Sequence, residues 1–76
     1  MKPIDSNQQR IISYLLSSGR SNYKDLMPLI EYYDDQTEAY LAAVTKLSQG
    51  HFITSSMDSD GMVWYEMTDF GKYNFG

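Results

Sequence analysis

Apolar residues recur every three or four positions through the first two thirds of the chain and every second position near its end. Over residues 6–18, Ile11 with Leu15 and Ile12 with Leu16 stand four apart on one stripe, with Tyr14 at its edge. This spacing predicts an amphipathic helix. Asp5 or Ser6 opens it, since each precedes a glutamine, Gln8 or Gln9, by three residues. Gly19 follows the last apolar turn, where a positive φ is commonly needed. A second helix is expected over about 22–33, capped by Ser21 and carrying Tyr23, Leu26, Met27, Leu29, Ile30 and Tyr33. Pro28 lacks the N–H of an interior position. Either one helix kinks there, or a short turn ends near Leu26 and a new one starts close to Pro28; the single kinked helix is the reading adopted. Asp35-Gln36-Thr37-Glu38 has the form of a capping box and opens a third helix over about 36–49, with Tyr40, Leu41, Val44 and Leu47 as its apolar positions. Ala39, Ala42 and Ala43 add helix propensity, and Gly50 or His51 ends it.

The period then falls to two. HFITSSM and MVWYEMT are short, rich in β-branched and aromatic residues, and separated by Asp58, Ser59, Asp60 and Gly61. They predict a hairpin over about 51–67, with Asp60-Gly61 suited to the positive φ angles of a tight turn. In its second strand Val63, Tyr65 and Met67 share one face, and Met62, Trp64 and Glu66 the other. The aromatic tail, 68–76, reads as too short for a full helix.

Three helices followed by one hairpin, with KLSQGHFI at 46–53 and WYEMTDFG at 64–71, resemble the winged helix-turn-helix family of small bacterial or phage regulators. Leu47, Gly50 and Ile53 answer to that family's leucine, glycine and isoleucine at the entry to the wing. Tyr65, Met67, Thr68 and Gly71 answer to its tyrosine, aliphatic residue, threonine and glycine after the wing, and Ser21 to Asp25-Leu26 resembles the start of its second helix. The resemblance spans roughly residues 6–71. It implies an α+β, mainly α fold: a three-helix winged helix-turn-helix with a C-terminal β-hairpin wing, as one domain over 1–76. Two features depart from the pattern. The join around EYYDDQ is about three residues longer than in compact members, and Gly50 falls one place early, leaving His51 where that glycine often sits. The resemblance also implies DNA binding, with the third helix in the major groove and the wing against the phosphate backbone.

Composition narrows the field. A chain of 76 residues with 42% hydrophobic and 21% charged residues can fold around one small core and does not read as disordered. No apolar run approaches the roughly 18 residues of a membrane span, and the polar opening MKPIDSNQQR is not expected to act as a secretory signal. With no cysteine, disulfides, thiolate zinc sites and cysteine nucleophiles drop out together, and a cytoplasmic location is the expectation. Catalysis finds little support. His51 is the only histidine, no nucleophile elbow or phosphate-cradling glycine loop occurs, and a calcium loop placed on Asp58-Gly61 puts Met67 where a bidentate glutamate is required. The expectation is a non-enzymatic protein with no metal and no cofactor.

Net charge is −4, which on average repels nucleic acid, so DNA binding needs a local basic face. No lysine or arginine lies between Lys24 and Lys46, whereas Asp25, Glu31, Asp34, Asp35 and Glu38 do, and Asp58 and Asp60 flank the wing tip. Asp35 and Glu38 have a second role as caps of the third helix. The candidate DNA-binding residues are Lys24, Gln36, Thr37, Thr45, Lys46 and Gln49; a continuous strip of Arg10, Arg20, Lys24 and Lys46 would strengthen that reading. The competing reading is a protein-interaction module, or an inhibitor offering carboxylates in place of phosphates. Its anchors would be Met62 and Trp64 on the outer wing face with Phe70, Tyr73 and Phe75 of the tail, unless the tail folds back over Trp64. One Trp, seven Tyr and three Phe are more than so small a core hides, so a homodimer or a partner protein is expected in either case.

Overall fold

A computed structural model describes residues 4–76; the first three residues of the polar opening segment lie outside it. Helix α1 runs Ser6–Ser18 and buries Gln8, Ile11, Ile12 and Leu15. The Asp5 carboxylate accepts from the Gln8 amide at 2.8 Å to cap it. Leu16, expected on the buried stripe, is partly exposed at the edge of that face.

Strand β1, Ser21–Asn22, follows at once, and its burial takes Ser21 out of the capping role. Asn22 caps α2, Tyr23–Leu26, through its side-chain oxygen. The expected kinked helix over 22–33 does not form. After Leu26 the chain tightens into a 3-10 turn, Met27–Leu29, with Pro28 near its start, and is extended at Ile30. The missing Pro28 N–H interrupts the i→i−4 ladder, and the shorter i→i+3 pattern takes over. Tyr33, placed on that helix by its spacing, is fully exposed in the following loop. This loop is tied to α1: Asn7 exchanges two hydrogen bonds with the Glu31 backbone, and Arg10 pairs with the Glu31 carboxylate and donates to the Leu29 carbonyl.

Helix α3, Gln36–Gln49, is capped by Asp35 and buries Tyr40, Ala43, Val44 and Leu47. Leu41 is not among them; at 51% exposure it faces outward. Its exit explains the displaced glycine. His51 donates to the Ser48 carbonyl and Phe52 to the Leu47 carbonyl, both at 3.0 Å, while His51 takes φ +62°. This is a Schellman closure with histidine at the left-handed position that glycine normally fills. Gly50 is required for space instead, since a Cβ there would lie 2.7 Å from the Phe52 ring.

Strands β2, Ile53–Met57, and β3, Val63–Met67, form the wing. The sheet is antiparallel in the order β1-β3-β2, with Ser21 opposite Tyr65 and Ile53 opposite Met67. Gly61 alone of the turn residues has positive φ, +83°, and donates to the Asp58 carbonyl at 3.1 Å, the geometry of a three-residue hairpin loop. The tail, read as too short, forms helix α4, Asp69–Phe75. Thr68 makes this possible by accepting the Gly71 amide at 2.9 Å while donating its hydroxyl to the His51 and Phe52 carbonyls. Phe70 stacks on Phe52 at 5.5 Å and Phe75 meets it edge-on at 4.8 Å. The core beneath unites α1, α2, α3 and the strand ends through Ile11, Ile12, Leu26, Val44, Leu47 and Met67.

Two substitutions test these packing assignments in urea or thermal unfolding. His51→Gly relieves a left-handed non-glycine residue and raises stability by about 1 kcal/mol. Gly71→Ala drives a methyl into the Phe52 carbonyl and the Met67 side chain, lowering stability by about 1–3 kcal/mol.

Candidate nucleic-acid interface

Helix α3 is held at both ends, by the Asp35 cap and the His51–Phe52 closure, so its outer face is a fixed surface. Successive helix positions turn by about 100°, which places Glu38, Leu41, Ala42, Thr45 and Gln49 along its outward side. Asp35, Thr37 and Lys46 complete a shallow depression there. Of the candidate DNA-binding residues, Thr37, Thr45, Lys46 and Gln49 therefore come together on one surface. Lys24 is exposed on α2. Gln36 is committed elsewhere: half buried, it donates its amide to the Met27 carbonyl at 3.0 Å and braces α3 against the 3-10 turn. Leu41 is the residue that spacing misassigned, because its single i, i+3 match to Val44 does not show on which side of the stripe a leucine falls.

The electrostatics are divided. Arg10 is engaged with Glu31, and the Arg20 guanidinium lies 4.6 Å from the centroid of the Trp64 ring. Among the described residues Lys24 and Lys46 form no ion pair. The acidity is likewise only partly available. Asp35 caps α3, and Asp58 is the hub of the wing turn, accepting from the amides of Asp60 at 2.9 Å and Met62 at 3.0 Å and from Trp64 Nε1 at 2.9 Å. The Trp64 indole hydrogen bond, then the Met62 amide, holds the Asp58 carboxyl below its usual range. Asp34, Glu38 and Asp60 remain exposed around the start of α3 and the wing tip.

The proposed protein-interface residues fall into two separate groups. Trp64 and Met62 are half buried in the wing, Trp64 being covered by Arg20 and anchored by Asp58. The tail does not cover it: Phe70 and Phe75 pack on Phe52, Phe70 with its outer side exposed, and Tyr73 stands clear. Between wing and helices, Tyr40 is buried with a hydroxyl that has no hydrogen-bond partner. Burial first, and then the adjacent Tyr65, pushes its pKa well above the ordinary tyrosine value. Among the described residues no group of three His, Cys, Asp or Glu side chains could hold a metal ion, and no helix is long and apolar enough to cross a membrane.

No protein-family model matches the chain, and no curated protein matches its sequence. Its fold is similar to that of the Adhesin competence repressor (AdcR) from Streptococcus pyogenes, with a TM-score of 0.74 and 22% identity over 95% of this chain. The chain spans about half of that protein, 52% of its length. The fold is thus a winged helix-turn-helix, mainly helical, with an antiparallel sheet.

Two pH experiments report on this region. The Trp64 indole N–H resonance should stay constant above the ordinary carboxylate range and move only as pH falls through the depressed Asp58 value, where the stabilisation from this lowered pKa is lost. At the other extreme, stability should begin to fall once pH exceeds the unfolded tyrosine value near 10 and continue falling through the raised Tyr40 value, because only the unfolded chain ionises readily. Tyr40→Phe removes that part of the alkaline loss and leaves neutral-pH stability equal or higher by up to about 1 kcal/mol.

Proposed function

We propose that the protein is a non-enzymatic transcriptional regulator that reads duplex DNA with the outer surface of α3. The observation that carries this reading is the outward stripe of Thr37, Thr45, Lys46 and Gln49 on a helix fixed at both ends beside a wing. Threonine and glutamine hydrogen-bond base edges and phosphates, and Lys46 in the last turn of α3 adds a cationic phosphate contact, with Lys24 beside it in the reading. The likeness to a repressor of the same fold supports the assignment. Cytoplasmic DNA is the target this implies, with no cofactor required.

Two lysines supply few phosphate contacts, so one copy binds weakly, and the exposed carboxylates at the helix entrance slow approach. The protein therefore acts as a homodimer on two half-sites about 34 Å apart. The reading as a protein-interaction module built on Trp64 and the tail is weaker at the wing, because Arg20 and Asp58 already engage the Trp64 ring, although Tyr73 and Phe70 of the tail are exposed.

The test is selection from a random duplex library, followed by fluorescence anisotropy between about 50 and 200 mM salt. An enriched motif, a steep fall in affinity with salt, and a salt slope reduced by about 1 in Lys46→Ala are expected. Glu38→Gln should tighten binding at low salt. No enriched motif and no binding at about 50 mM salt would remove the DNA reading.

A further inference from the structure

Between α3 and the wing lies a groove of about 360 Å³, lined by Tyr23, Tyr40, Leu41, Asp60, Gly61, Met62, Val63 and Tyr65. Its walls are apolar and partly open: Leu41 is 51% and Tyr23 45% exposed. At its floor is Tyr40, 4% exposed, whose hydroxyl is the one buried side-chain polar atom without a partner among the described residues. No lysine or arginine lines it. Asp60, on the wing side, is the one charged residue of its lining. Lys24, next to Tyr23 in α2, is the cation nearest in sequence.

We propose that this groove docks a segment of a partner protein that inserts an apolar side chain flanked by lysine or arginine. Charge complementarity selects that occupant. Asp60 attracts a basic side chain and no lining cation opposes it, whereas a DNA phosphate there meets a carboxylate and leaves the apolar floor unfilled. The anchor is an aliphatic or aromatic side chain lying over Tyr40 and between Leu41 and Val63, the arrangement of a buried hot spot with a polar rim. This inference does not depend on the DNA reading, and it concerns a surface distinct from the Trp64 ring and the aromatic tail.

The experiment titrates isotope-labelled full-length protein with an acetylated, amidated KRLFKR hexapeptide, using KRSGKR and EELFEE as controls and a random-sequence duplex as a further arm. Saturable shifts confined to the amides around residues 23, 40–41 and 60–65 are expected for KRLFKR, with affinity at least tenfold weaker for both controls. Leu41→Glu and Asp60→Lys, both at exposed positions, should each lower KRLFKR affinity at least tenfold while the remaining amide spectrum stays folded. Absence of saturation below about 5 mM, shifts located elsewhere, equal binding of KRSGKR, or unchanged affinity in both variants would overturn the proposal. So would the duplex producing the same shifts in this groove, which would assign it to DNA; loss of duplex binding alone would overturn only the preceding reading.

Discussion

The passage of the chain from α3 into the wing turns on Phe52. Its amide closes the end of α3 on the Leu47 carbonyl, its carbonyl accepts from both the amide and the hydroxyl of Thr68, and its ring carries Phe70 and Phe75. One residue thereby fixes the helix end, the start of β2 and the seat of α4. Gly50 and Gly71 have no side chain because the Phe52 ring and backbone fill the space beside them. His51 accepts an unfavourable φ in the same junction, held by two backbone hydrogen bonds and by the Thr68 hydroxyl on its carbonyl. The orientation of the wing relative to the outer face of α3, and so any recognition using both, follows from this junction.

Electrostatics at the surface depends as much on which charges are already spent as on how many there are. A tally from the chain shows a run of carboxylates and almost no cations around α3. In the fold, Asp35 and Asp58 serve backbone amides, Glu31 neutralises Arg10, and Arg20 lies on an indole ring. What is left is small on both sides: Lys24 and Lys46 against Asp25, Asp34, Glu38 and Asp60. A reading surface of hydrogen-bonding side chains with weak steering lies beside a carboxylate-rimmed apolar groove, and the two share Leu41.

The sequence had made the helices α1 and α3, the hairpin and its turn readable, because caps, periodicity and turn glycines act over a few residues. The Asp5 and Asp35 caps and the left-handed Gly61 are local devices of this kind. The interruption near Pro28 was visible too, but its outcome was not. Whether a proline kinks a helix or ends it depends on what receives the freed carbonyls, here Ile30 and the Gln36 side chain on the Met27 oxygen. Helix α4 escaped notice because seven residues rarely hold a helix alone; Thr68 and the Phe52 ring stabilise it from outside the segment.

The same division governs the recognition surface. The polar side chains at 45, 46 and 49 were identifiable from their spacing, since they lie apart from a stripe of Tyr40, Val44 and Leu47. Thr37, three before Tyr40 and seven before Val44, falls at the edge of that stripe. Spacing sets Gln36, four before Tyr40, on the inward side. Tertiary packing alone determined that it braces the Met27 carbonyl, that Leu41 faces solvent, that Trp64 is covered by Arg20, and that the Tyr40 hydroxyl lies unpartnered beneath a groove. Periodicity gives the direction of a side chain from its own helix or strand axis, whereas burial and pairing depend on residues far along the chain that the fold brings against it.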